Sequence, residues 1–163
     1  MKIKVEKMAG SIHDCECCGM YSAEGVFISV NDKLVWKRYS DGHLYGNATE
    51  ESILNAILNA WLEIKNQEAE KEFTEQARLN WNKSNPGNGI ARTPESWLEY
   101  KQSQLSYFTD TIKYMKEECS HLPYDETLQA KMIALWFEST TGEKIDVDVT
   151  DISESKAEKN YLG

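Results

Sequence analysis

The sequence has no long apolar run, although it extends over 163 residues. A membrane-spanning helix needs about 20 consecutive apolar residues, and no window of this chain approaches that composition. The N-terminal segment MKIKVEKMAG contains lysines but lacks the apolar stretch that a secretory signal places after them. We therefore expect no membrane contact and a cytoplasmic location, in which thiols stay reduced.

Complete catalytic motifs are also missing from the sequence. The chain contains no glycine-rich phosphate loop, no Gly-x-Ser-x-Gly nucleophile motif and no His-Glu-x-x-His zinc motif. An enzymatic function would therefore have to rest on a less regular group of side chains.

Basic charge is scarce. The 18 lysines and arginines are outnumbered by 27 acidic residues, which gives a net charge of −9 and a pI near 4.9. This sign disfavours direct binding to nucleic-acid phosphates. The same charge attracts a protein with a basic surface, although acidity also serves plain solubility.

The hydrophobic content of 40% is ordinary for a soluble globular chain, and we find no internal repeat. Apolar and polar residues alternate at the N-terminus, across residues 24–39 and across residues 143–149, which predicts strands. Asn31-Asp32 divides the middle segment into a hairpin, because both residue types tolerate the positive φ of a tight turn. We expect a small antiparallel sheet.

Three helices are predicted between the hairpin and the last strand. The first begins at a cap on Asn47 or Thr49 and ends at the loop 85–89, and the second begins at Thr93-Pro94. Together they form a long antiparallel helical hairpin. The third helix begins at Asp125 or Tyr124, ends at Gly142 and has this core stripe: Leu128, Met132, Leu135 and Trp136.

These elements predict an α+β fold, with the sheet packed on the three helices. We expect a single domain over residues 1–150. It comprises a sheet layer over 1–46, a helical layer over 48–140 and the closing strand over 143–149. Residues 151–163 are expected to form a polar, frayed tail.

Cysteines and histidines concentrate in one segment before the hairpin. Cys15 and Cys18 have the spacing of a zinc knuckle, with Gly19 allowing the tight turn. Cys119 and His121 would complete a four-ligand structural zinc site that fastens the sheet to the helices. The alternative ligands are His13, Cys17 and His43. The other interpretation is that the cysteines carry no metal, with Cys119 packing as a small hydrophobic residue.

A thioredoxin-like role for the Cys15-x-x-Cys18 spacing is disfavoured, because a hairpin follows it where that motif requires a helix. The neighbouring pairs His13-Asp14 and Asp41-Gly42-His43 carry imidazoles and carboxylates that a metal-dependent hydrolase could use. Such short pairs more often serve turns or lie in solvent.

Four aromatic residues recur along the second helix: Trp97, Tyr100, Tyr107 and Tyr114. Stacking on nucleobases would need interleaved lysines or arginines, which this stripe lacks. Core packing or self-association of the protein is the better interpretation.

Two functions from different classes remain open. We expect a non-enzymatic acidic interaction protein, an inhibitor or adaptor of a basic protein complex such as a nucleic-acid-processing or host-defence complex. The alternative is a small metal-dependent hydrolase that uses His13, Cys15, Cys18 and His43.

Overall fold

A computed structural model describes residues 1–17, 19–42, 46–119 and 121–163. The predictions that concern Cys18 and His43 therefore fall outside the described residues. Within them, the strands are β1 (Lys2–Cys15), β2 (Gly19–Val30), β3 (Lys33–Ser40), β4 (Asn47–Ala48) and β5 (Asp146–Ile152). The helices are α1 (Ile53–Glu72), α2 (Glu75–Ser84), α3 (Pro94–Glu118), α4 (Glu126–Thr141) and α5 (Glu154–Leu162).

The strands form one sheet in the order β4-β3-β2-β1-β5. The predicted α+β class is confirmed. The sheet differs from the antiparallel one expected, because β5 runs parallel to β1 while the other neighbours are antiparallel. Parallel neighbours need a long crossover connection, and the chain from α1 to α4 supplies one. The alternation of apolar and polar residues carries no information about strand direction.

The predicted turn of the β2–β3 hairpin is confirmed. Asn31 and Asp32 have φ angles of 46° and 66°, which fits a two-residue turn of the type that follows the twist of a hairpin. The side chain of Asn31 also accepts a hydrogen bond of 2.9 Å from the backbone N–H of Lys2, which ties the turn to the start of β1.

The C-terminal segment is a helix, not the frayed tail that we expected. Ala157 of α5 is fully buried against one face of the sheet, in a cluster with Met8, Phe27 and Tyr39. The ring of Tyr161 lies 5.1 Å from that of Tyr39. The composition of the segment is mostly polar, because a short helix needs only a few apolar residues to pack on one face of a sheet. Composition alone therefore does not predict this helix.

Helix α4 covers the other face, and its core stripe differs from the predicted one. Leu128 and Leu135 are 51% and 64% exposed. The buried side chains of α4 are instead Ala130, Ile133, Ala134 and Phe137. Small alanines let a helix approach a sheet closely, and a stripe chosen by side-chain size misses them. The predicted caps are confirmed, since Asp125 accepts a hydrogen bond from Leu128 N and Gly142 has a φ of 72°.

The start of α1 lies later than predicted. Residues Asn47–Ala48 form β4, and Thr49 Oγ1 accepts a hydrogen bond of 3.0 Å from Lys37 N. Ser52 Oγ accepts one from Asn55 N at the beginning of the helix. Asn47 and Thr49, the predicted helix caps, therefore take part in the sheet, and the helix begins after them.

The chain divides into two compact units. Unit 1 comprises Met1–Ile57 and Cys119–Gly163, and unit 2 comprises Leu58–Glu118. The segment after Cys119 returns to the sheet, while the chain between the two parts of unit 1 folds on itself. The single domain over residues 1–150 stays a prediction.

Unit 2 contains the helical hairpin, and its contacts run in antiparallel order. The ring of Trp61 lies 5.5 Å from that of Phe108, whereas Phe73, later in the chain, lies 4.9 Å from the earlier Trp97. The first arm is interrupted between α1 and α2, where Thr74 caps the new helix by accepting a hydrogen bond from Ala77 N.

Candidate functional site

Negative charge is concentrated in unit 1. This unit holds 17 acidic and 10 basic side chains, a net charge of −7, while unit 2 holds 10 acidic and 8 basic ones, a net charge of −2. The excess that makes up the total of −9 therefore belongs mainly to the unit with the sheet. The long helical hairpin is close to neutral.

Three carboxylates of unit 1 act on Tyr39 through their negative charge. Burial and then the negative charges of Asp41, Glu158 and Glu154 raise the pKa of Tyr39 to about 12. Glu154 and Glu158 lie four residues apart on α5, so they share one face of the helix. Asp41 follows directly after β3. We call Asp41, Glu154 and Glu158 the acidic cluster.

His13 lies beside the acidic cluster. Its Nε2 atom is 2.8 Å from Glu154 Oε2 and 2.9 Å from Ser11 Oγ, and Ser11 Oγ is 3.2 Å from the same carboxylate oxygen. The ring of His13 stacks on that of Tyr21, with 5.2 Å between the ring centroids. These contacts place the outer part of the β1–β2 hairpin against the first turn of α5.

The arrangement of Ser11, His13 and Glu154 resembles a catalytic triad in composition but not in geometry. In a triad, the serine and the acid bind different nitrogens of the imidazole, so the ring can take a proton on one side while the acid holds the other. Here both groups approach Nε2. The contacts therefore hold the hairpin in place rather than activate the serine.

The segment Asp41-Gly42 lies against Tyr21, the residue on which His13 stacks. A Cβ atom on Gly42 would collide with the side chain of Tyr21, so glycine is what allows the chain to pass here. His13 and Gly42 thus both lie against Tyr21. The hydrolase alternative stays a prediction. His43, the other imidazole of that alternative, lies outside the described residues.

The cysteine segment forms the tip of the β1–β2 hairpin. Cys15 is the last residue of β1 and pairs with Gly19, whose φ of 76° closes the turn. Cys15 is half-buried and Cys17 is exposed, and their Sγ atoms lie 3.0 Å apart.

The predicted zinc ligands belong to different segments of unit 1. Cys119 is buried just after α3, and His121 is exposed in the connection to α4. Among the described residues, which include every proposed ligand except Cys18 and His43, no three His, Cys, Asp or Glu side chains come together as a metal site. The zinc site that includes Cys18 stays a prediction.

The aromatic stripe of α3 is split by burial. Trp97 is buried and its ring packs near Phe73, Trp81 and Tyr100. Tyr107 and Tyr114 are 50% and 52% exposed. Part of the stripe therefore belongs to the core. A self-association surface could include Tyr107 and Tyr114 but not Trp97.

The residues of α5 are absent from the predicted site, because Glu154 and Glu158 lie in the segment that the sequence predicts as a polar tail. A signal was present in that segment: Ser153 precedes an acidic residue, as at many helix starts, and Ala157 and Tyr161 are four residues apart.

No family model, curated protein or solved structure matches this chain. Within the part of the chain that the structure describes, each helix is too short or too polar to cross a membrane.

Proposed function

We propose that this chain is a non-enzymatic interaction protein that binds a partner with a basic surface, and that the acidic cluster in unit 1 is its contact point. The observation that carries the proposal is the negative potential that Asp41, Glu154 and Glu158 create at Tyr39, in the unit that holds most of the net charge. A cationic group of the partner gains energy where several negative charges act together, even when they do not converge on one point.

The neighbouring rings favour arginine as the partner's contact residue. The stacked rings of His13 and Tyr21 lie next to Glu154. A guanidinium group can stack on an aromatic ring while it donates paired hydrogen bonds to a carboxylate. Proteins that hold nucleic-acid phosphates display arginines for this purpose. A nucleic-acid-processing or host-defence protein is the partner class that this chemistry suits.

A charge-matched comparison tests the proposal. We expect Asp41→Asn with Glu158→Gln to weaken binding to an arginine-rich synthetic peptide about tenfold or more, because each lost charge pair contributes on the order of 1 kcal/mol. The affinity of the wild type is expected to fall as NaCl rises, since salt screens exposed charges. Fluorescence anisotropy of the labelled peptide measures both effects.

The control is Glu99→Gln with Glu117→Gln in unit 2, which changes the net charge equally at exposed positions. It is expected to keep the wild-type affinity within about twofold. Equal losses in the two variants would show that only the overall charge matters and would overturn the proposed contact point. Binding that does not change with salt would overturn the electrostatic proposal as a whole.

A further inference from the structure

Two cysteines of the hairpin tip are placed for bond formation with each other. The Sγ atoms of Cys15 and Cys17 lie 3.0 Å apart, and a disulfide bond is about 2.05 Å long. A displacement of about 1 Å within the turn would therefore join them. The sequence spacing pairs Cys15 with Cys18 instead, because two cysteines three positions apart fit a metal knuckle.

The tip gives a reagent access to the sulfurs while the strands hold the backbone. Cys17 is exposed and Cys15 is half-buried. The two strands remain paired up to the turn, where Asp14 lies opposite Met20 and Cys15 opposite Gly19. Met20 is itself 74% exposed, so the tip extends into solvent. Thiol–disulfide exchange depends on such access.

We propose that Cys15 and Cys17 form a reversible disulfide by exchange with a low-molecular-weight disulfide such as oxidised glutathione. The thiolate of the exposed Cys17 attacks one sulfur of oxidised glutathione and releases one glutathione thiolate, which leaves a mixed disulfide on Cys17. The thiolate of Cys15 then attacks the Cys17 sulfur and releases the second glutathione. The two protein thiols give up two protons and two electrons, and one glutathione disulfide becomes two glutathione thiols.

The short loop makes this bond easy to reverse. One residue separates the two cysteines, so the ring that the disulfide closes is small and departs from relaxed disulfide geometry. Strained and exposed disulfides have higher reduction potentials and are the ones that exchange readily. The tip is therefore a modification site that responds to the thiol redox state rather than a permanent crosslink.

Thiol counting after equilibration with glutathione tests the proposal. The reduced, metal-free protein is incubated in buffers of graded ratios of reduced to oxidised glutathione, quenched with an alkylating reagent and analysed by intact mass and peptide mapping. We expect two of the four cysteines to escape alkylation in oxidising buffers, with a crosslink that maps to Cys15 and Cys17. Reduced glutathione in excess is expected to restore all four thiols.

Three serine variants decide between pairings. Cys15→Ser is expected to accumulate a glutathione adduct on Cys17, because the second exchange step is lost. Cys17→Ser is expected to lose the intramolecular bond. Cys18→Ser, at the next position in the sequence, is expected to keep it. A crosslink that disappears in Cys18→Ser, or that survives in Cys15→Ser, would overturn the proposal, as would four alkylated thiols at every ratio. Circular dichroism confirms that each variant is folded.

Discussion

Tyr39 reports on the acidic cluster because its pKa depends on the charges around it. Burial and the carboxylates of Asp41, Glu158 and Glu154 raise this pKa from 10.0 to about 12. Both causes disfavour the tyrosinate anion, which lacks water and faces negative charge. A phenol that keeps its proton longer in the folded protein than in the unfolded chain links stability to pH.

We expect the stabilising effect of Tyr39 protonation to be complete below pH 10 and to be lost as pH rises towards 12. In that window the folded state keeps the proton that the unfolded state releases, so the free energy of unfolding falls with increasing pH. Urea unfolding at a series of pH values measures this slope. Tyr39→Phe is expected to make the slope shallower by the contribution of one proton.

The carboxylates themselves can be tested at the same residue. Asp41→Asn with Glu158→Gln is expected to lower the pKa of Tyr39 from about 12, while burial keeps it above 10.0. Ultraviolet titration of tyrosinate, taken as the difference from the same variant carrying Tyr39→Phe, isolates the one phenol. An unchanged pKa would mean that these carboxylates do not act on Tyr39.

Single residues also show where sequence reasoning stops. The sequence predicts that Cys15 belongs to a site, but it cannot tell whether Cys17 or Cys18 is its neighbour. Spacing favours Cys18 for a metal, and the structure adds that the Sγ atom of Cys17 lies 3.0 Å from the Sγ atom of Cys15. The geometry of a turn depends on the register of its strands, and register is not visible in the segment itself.

At the scale of elements, the sequence predicts those turns and helix caps that depend only on the residues at those positions. The Asn31-Asp32 turn and the Asp125 and Gly142 caps of α4 follow from the conformational preferences of those residues, and the structure contains all of them. Helix α5 depends instead on a distant partner, the sheet face that buries Ala157. A nine-residue helix is marginal in isolation, so its own sequence could not establish it.

The packing of α5 predicts a large effect from one substitution. Ala157→Asp places an unpaired charge in a fully buried position, and we expect it to lower the free energy of unfolding by roughly 3–5 kcal/mol. Ala157→Leu, which adds bulk without charge, is expected to cost about 1–3 kcal/mol. Urea unfolding followed by circular dichroism measures both losses.

The matched control for this prediction is Ser155→Asp. It introduces the same charge on the same helix at an exposed position and is expected to change stability by less than about 0.5 kcal/mol. Similar effects at both positions would show that α5 does not pack on the sheet in solution.

At the scale of the whole molecule, the sequence predicts the net charge but not its distribution. The sum of −9 is a property of composition. The net charge of each unit depends on which segments fold together. Residues 119–163 belong to the same unit as residues 1–57, although residues 58–118 separate them in the sequence. The division of the chain assigns most of the negative charge to the unit that contains the sheet.

This uneven charge predicts an uneven response to salt. We expect NaCl to slow amide hydrogen exchange more in unit 1 than in unit 2, because repulsion among like charges is larger where the net charge is −7 than where it is −2. Raising the salt from roughly 0.01 M to 0.15 M shortens the screening length from about 30 Å to about 8 Å. Exchange detected by mass spectrometry resolves the two units.

Sucrose provides the uncharged comparison, since it favours compact states without screening charge, and it is expected to slow exchange in both units alike. Equal slowing by NaCl in the two units would contradict the assignment of charge.

The pairing of β1 with β5 has a consequence for folding during synthesis on the ribosome. Strand β1 is synthesised before β5, its parallel neighbour, and all of unit 2 is synthesised between them. Unit 2 is one continuous stretch of chain and can begin to fold while synthesis continues. Until residues 146–152 are synthesised, one edge of β1 has no partner strand. The backbone N–H and C=O groups along that edge form their final hydrogen bonds only when β5 adds to the sheet.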